Sequence, residues 1–267
     1  MSAPLEAWVG GVGLLGPGLP DWPAAAQVLA GRVPYAPRAT VVPALECLPP
    51  AERRRTGKVV RLALTVGLEA VAHAHADAAT LPAVFASSGG DGENCHAICE
   101  VLAGPERQIS PTRFHNSVHN AASGYWGIAT GATPAANALC ADDASFGAGL
   151  LEALVQLRAA ATAVLLIAYD ADDPQPIRAV RPVPDAFGVA LLLTPAAAAG
   201  SLARLTVRPG TVAPATPAAG ELEALRAQVP AARSLPLLER LARAQAGSVA
   251  LDYLGEERLT IEVSPCP

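Results

Sequence analysis

The chain has 267 residues, of which 51% are hydrophobic and 16% charged, with a formal net charge of −5. That composition supplies a large core and excludes global disorder. The acidic balance, interrupted only by Arg53-Arg54-Arg55 with Lys58 and Arg61, disfavours nucleic acid as a partner.

In chain order, Leu5–Leu15 reads as a buried strand that ends in glycines. Gly11, Gly13 and Gly16 fit the spacing of a dinucleotide loop, but Pro17 and Pro20 block the helix such a loop must open, so a tight turn is the better reading. Asp21–Ala30 fits a helix with Asp21 as N-cap and Pro23 in the first turn. Pro34–Pro50 is proline-rich and irregular. Glu52–Asp77 has the apolar spacing of one long helix, and Pro82–Ala86 that of a short strand. Ser87–Gly92 is a turn before a helix over Glu93–Leu102. Ser117–Thr130 reads as a helix, Ala135–Ala141 as a buried strand, Ser145–Ala160 as a helix and Thr162–Ala168 as a strand. Strands at Ala186–Thr194 and Arg204–Val207 follow. Pro209–Gly220 is the linker candidate, leading to helices over Glu221–Gln228 and Leu235–Ala246 and a hairpin around Gly255. The alternation of strands and helices predicts an α/β layer architecture.

Five cysteines, Cys47, Cys95, Cys99, Cys140 and Cys266, are odd in number and lack the spacing of a disulfide framework or a zinc site. His115 and His119 stand four apart, without a third ligand nearby; hydrogen bonds to backbone carbonyls suit them better than metal. No metal and no cofactor is expected. Asp170, Asp172 and Asp173 read as a polar turn after a strand, and Asp142-Asp143 as a helix cap. The first residues lack a basic leader and the apolar runs are too short to span a bilayer, so a cytoplasmic protein with no membrane partner is expected.

Several segments, in order, resemble the thiolase-like β-ketoacyl synthases: Glu52–Lys58, Ser87–Glu93, Ser110–Gly131 and Asp185–Thr194. Asn120, Gly124, Ile128 and Gly131 fall on that family's pattern. The branch it most resembles is the short chain-length-factor proteins of aryl polyene and type II polyketide clusters. The resemblance covers most of the first 210 residues. It implies a thiolase-like α-β-α domain, the first half of a ketosynthase, over residues 1–210. Residues 211–267 would form a linker and a small helix and hairpin extension packed on it.

The family's cysteine nucleophile sits at a strand-to-helix turn, where the helix N-terminus favours thiolate. Counted from Pro134, that position falls at Asp142; Cys140, two residues earlier, is the alternative nucleophile. The family's two catalytic histidines come much later, and no histidine follows His119. The resemblance therefore implies no catalytic residue and a chain-length factor that pairs with an active ketosynthase, with acyl-carrier protein an indirect partner. Phe114, Asn116, Ser117, Val118, Tyr125 and Trp126 are the candidate tunnel or interface residues, although Tyr125 and Trp126 are equally read as ordinary core aromatics. Two readings stay open beside it: a Cys140-dependent acyltransferase or minimal β-ketoacyl synthase, and a scaffold that only stabilises its partner.

Overall fold

A computed structural model describes residues 4–217 and 220–267. Eight strands form one sheet in the order β3-β2-β4-β5-β1-β6-β8-β7. They are β1 (Leu5–Leu15), β2 (Ala83–Ala86), β3 (Ala136–Leu139), β4 (Val164–Asp170), β5 (Phe187–Thr194), β6 (Ala203–Gly210), β7 (Gly247–Asp252) and β8 (Arg258–Pro265). β3, β2 and β4 are parallel, and every other neighbouring pair is antiparallel. The helices are α1 (Trp22–Leu29), α2 (Pro50–Arg53), α3 (Lys58–His73), α4 (Gly92–Ala103), α5 (Pro111–His115), α6 (Ala121–Thr130), α7 (Ser145–Ala160), α8 (Ile177–Val180), α9 (Gly220–Gln228) and α10 (Leu235–Arg243).

Two apolar cores flank the sheet. One gathers Leu29, Phe146, Leu150, Leu154, Leu222, Leu235 and Leu238 from α1, α7, α9 and α10. The other gathers Leu62, Val66, Tyr125 and Trp126 from α3 and α6. This is the α-β-α layering that the resemblance implies, within the α/β architecture that the alternating elements predict. The C-terminal hairpin of β7 and β8 continues the sheet beyond β6, and Val249 and Ile261 enter the first core.

The glycines of β1 serve packing. A Cβ on Gly11 would collide with the Ala70 carbonyl, and one on Gly13 with the Val66 carbonyl, so α3 lies directly on the strand. β6 pairs only with Leu5–Val9 of β1, which frees amides further along. Side chains of α3 take them: His73 Nδ1 accepts from Val12 N at 3.0 Å and Glu69 Oε2 from Leu14 N at 2.8 Å. Burial raises the Glu69 carboxyl above its ordinary range.

Two expectations need correction. The long helix over Glu52–Asp77 is broken at Arg54–Gly57 into α2 and α3. Gly57 there lies so close to Asp91 that a Cβ would stand 2.7 Å from its Oδ2. The strand over Ala135–Ala141 is shorter and not buried: β3 is the sheet edge, and Ala136 and Asn137 are exposed. It pairs on one side only, with β2.

Candidate functional site

The turn between β3 and α7 is built from Cys140 to Ser145. Asp142 has a φ of 51°, in the left-handed region that few non-glycine residues adopt. Ser145 Oγ closes the turn, donating to Asp142 O at 2.6 Å and accepting from Ala141 N at 3.1 Å. α7 starts with no side-chain cap. The capping role expected of Asp142 and Asp143 is therefore not what their carboxylates do. Asp142 accepts from Arg181 Nη1 at 2.7 Å, while Asp143 accepts from Arg181 Nη2 at 3.0 Å and from Arg233 Nη2 at 2.8 Å. Arg233 continues to Asp252 at 2.9 Å, and Asp252 also faces Arg226 at 3.4 Å and Arg258 at 3.7 Å. A ladder of alternating charge thus ties the turn to the segment after β4, to the 3-10 turn Pro230–Ser234 and to the C-terminal hairpin.

Cys140 lies just past β3, exposed, its thiol donating to Ser88 O at 3.2 Å. It sits two residues short of the left-handed turn residue. The loop it touches is anchored by a buried carboxylate. Asp170, 4% exposed at the end of β4, accepts from Ser88 N at 2.8 Å, from Ser88 Oγ at 2.6 Å and from Ala231 N at 2.8 Å. Burial pushes its carboxyl up to about 6, against the opposing pull of the Ser88 and Ala231 hydrogen bonds and of Arg181. The reading of Asp170 as part of a polar turn after the strand is corrected: β4 extends to it, and its oxygens tie two other segments, the Ser88 loop and the turn at Ala231, to that strand. Asp172 does lie outside, paired with Lys58 and with Arg178 at 3.1 Å.

The residues singled out between 114 and 126 divide by environment. Phe114 and Val118 are exposed, at 68% and 52%, and Ser117 is exposed beside them. Asn116 is buried; its amide donates to Arg55 O at 2.8 Å, and its Oδ1 accepts from Tyr125 OH at 3.2 Å. Tyr125 and Trp126 are fully buried, with the Trp126 ring edge-on to Phe85 at 6.4 Å. A Cβ on Gly67 would stand 2.8 Å from the Trp126 ring, so the Trp126 side chain of α6 packs directly on the α3 backbone there. His115 packs edge-on to Tyr125 at 6.3 Å, and His119 Nε2 lies 3.1 Å from Ser87 O. No group of three metal-binding side chains occurs among the described residues. No helix among them is long and apolar enough to cross a membrane.

Sequence reasoning did not find Arg181, Arg233, Asp252 or the anchoring role of Asp170. Arg181 and Arg233 stand 38 and 90 residues from Asp143. One local signal pointed to Asp170. β2 and β4 run parallel with Ala86 beside Ala168, so the hydroxyls of Ser87-Ser88 emerge level with the acid that ends the next strand.

The geometry of a short parallel strand, a left-handed turn and a long helix agrees with known folds. The family model for the N-terminal domain of β-ketoacyl synthases matches residues 23–250. A structure of the ketosynthase ApeO in complex with its chain length factor ApeC from Xenorhabdus doucetiae contains a chain 24% identical; the match covers 97% of this chain and 99% of that one, with a TM-score of 0.74. The ishigamide ketosynthase/chain length factor matches at 16% identity over 98% and 100% of the two chains, with a TM-score of 0.72. AntDE:AntF, a type II polyketide acyl-carrier protein in complex with its hexaketide-bound ketosynthase, matches at 11% identity over 98% and 100%, with a TM-score of 0.75. No curated protein matches the sequence. On the extent of the family match, this chain belongs to the β-ketoacyl synthases, in the family of their N-terminal domain.

Proposed function

We propose that this chain is a non-catalytic, chain-length-factor-like subunit that pairs with an active ketosynthase and shapes its acyl tunnel, in biosynthesis of the polyketide or aryl polyene kind. The observation that carries the reading is the turn after β3. Its left-handed residue is an aspartate held by Arg181, and, counted from Pro134, we read this position as the one where a synthase of this family carries its thiol. Condensation also needs groups that stabilise the enolate of a decarboxylating malonyl thioester. The charged groups that contact this turn are Arg181 and Arg233, each engaged by a carboxylate.

The pairing surface is the open edge of β3 with the apolar side chains near it in sequence. An exposed edge offers unpaired amides and carbonyls to a partner strand. Phe114, Val118 and Ile128, all exposed, supply apolar area. Phe114 and Val118 are the groups that meet the growing chain. Asn116, Tyr125 and Trp126 hold their segment from beneath. Two similar structures each pair a ketosynthase with a chain length factor, which supports this assignment.

Product length tests it. Phe114→Trp narrows the tunnel and shortens the product of the reconstituted ketosynthase complex, with complex formation retained. Unchanged length with lower yield would instead favour a scaffold. Cys140→Ala leaves the product unaltered, and incubation with acyl-carrier-protein thioester leaves the mass of Cys140 unchanged. An acyl adduct on Cys140 that the product requires would overturn the reading in favour of an acyltransferase.

A further inference from the structure

We infer that this chain binds a single aliphatic carboxylate in a cavity between α1 and the irregular segment that follows it. The cavity, about 520 Å³, lies within the range of small-ligand sites. Its walls are mostly apolar, with Ala24 and Val28 from one face of α1 and Val33, Ala39 and Val41 from the facing segment. Arg38 is the one charged residue that lines it. Among the described residues, the Arg38 side chain has no ion pair and no hydrogen bond. The clefts beside Asn116 and beside Asp142 differ, because carboxylates accompany their arginines. An apolar slot with one free guanidinium and no acid suits a ligand with one aliphatic tail and one anionic head.

The slot is built, not a chance gap. Gly18, at φ 67°, comes so close to the Ala36 carbonyl that a Cβ would collide with it. Gly18 N donates to Arg38 O at 2.9 Å, and Tyr35 OH donates to Pro17 O at 2.9 Å. Further along, Thr40 N donates to Asp185 Oδ2 at 2.8 Å and Thr40 Oγ1 to Ala186 O at 2.8 Å. At the other end Arg32 Nε donates to Gln27 Oε1 at 2.7 Å. The segment is thus fixed on both sides of its apolar stretch and held off the helix. Val41, 80% exposed, and Val33, 47% exposed, mark the open side where a ligand tail would cover them. None of the lining residues belongs to the Ser110–Trp126 segment or to the turn after β3, so the site does not depend on the tunnel assignment.

Titration calorimetry of the full chain with sodium decanoate, below its micelle concentration, tests the inference. The expected result is saturable one-to-one binding. Ala39→Trp fills the slot from an exposed position and weakens binding by about tenfold or more, while Arg38→Gln weakens it by roughly fivefold and removes its dependence on ionic strength. Both variants should keep the melting temperature of the parent. Four results would overturn the inference: no saturable binding; equal affinity in parent and variants; loss of binding in Phe114→Trp but not in Ala39→Trp; or loss of ketosynthase co-purification in Ala39→Trp without any decanoate binding, which would make the slot a protein interface.

Discussion

At the residue scale, two acids carry the account. Asp142 adopts a backbone conformation suited to a sharp turn, and its side chain is engaged by Arg181 rather than free to react. Asp170 is buried and anchors Ser88 and Ala231. Its carboxyl is raised from 3.8 to about 6 by burial, so between those values the folded chain holds a proton that the unfolded chain releases. The stabilisation from that proton is complete below the unfolded value and is lost as pH rises through about 6. Two units correspond to about 3 kcal/mol as an order of magnitude. Denaturant melts of the parent and Asp170→Asn at pH 4 to 7 check this: the stability of the parent relative to the variant should fall across the range. A constant difference would remove Asp170 as a titrating group.

At the element scale, contact between β1 and α3 sets the centre of the fold. Gly13→Ala would press a methyl group into the Val66 carbonyl, and overpacking of this kind costs about 1–3 kcal/mol. Thermal denaturation should show a fall of several degrees, because about 1 kcal/mol moves Tm by roughly 2–4 °C in a domain of this size. An unchanged Tm would mean that α3 can lift from the strand. The sequence made these elements legible where periodicity and punctuation agree. Asp21 caps α1 by accepting from Ala24 N at 2.7 Å, and α7 runs over Ser145–Ala160 as its apolar spacing predicts. It was less informative where tertiary context decides. The small apolar residues of β3 read as buried, yet the strand lies at the sheet edge. Arg54–Gly57 interrupts a helical pattern, and Gly57 there lies against Asp91, a residue far along the chain. The ion ladder was not legible at all, since Asp143 and Asp252 meet through Arg233 only after the sheet has formed. Periodicity did leave the turn between β3 and α7 in its place, between a strand and a helix; the resemblance to a family, carried by ordered short segments, added the expectation of what that turn carries.

At the scale of the whole molecule, the sheet is continuous from β3 to β7, and the charge ladder links the turn after β3 to the C-terminal hairpin. Arg233 bridges Asp143 beside α7 and Asp252 on β7, with its side chain only 20% exposed. Arg233→Met leaves two carboxylates short of a partner and should lower stability by about 1–3 kcal/mol in urea unfolding. A neutral result would show that Arg226 and Arg258 compensate at Asp252. The ladder secures the β3–α7 turn, and with it the edge strand that the proposed function gives to a ketosynthase. Condensation assays test that central claim most directly: acyl- and malonyl-carrier protein are supplied to this chain alone, to its ketosynthase alone and to the two together. The account predicts no elongation by this chain alone and full-length product only from the pair. Elongation of a malonyl unit by this chain unaided would contradict it.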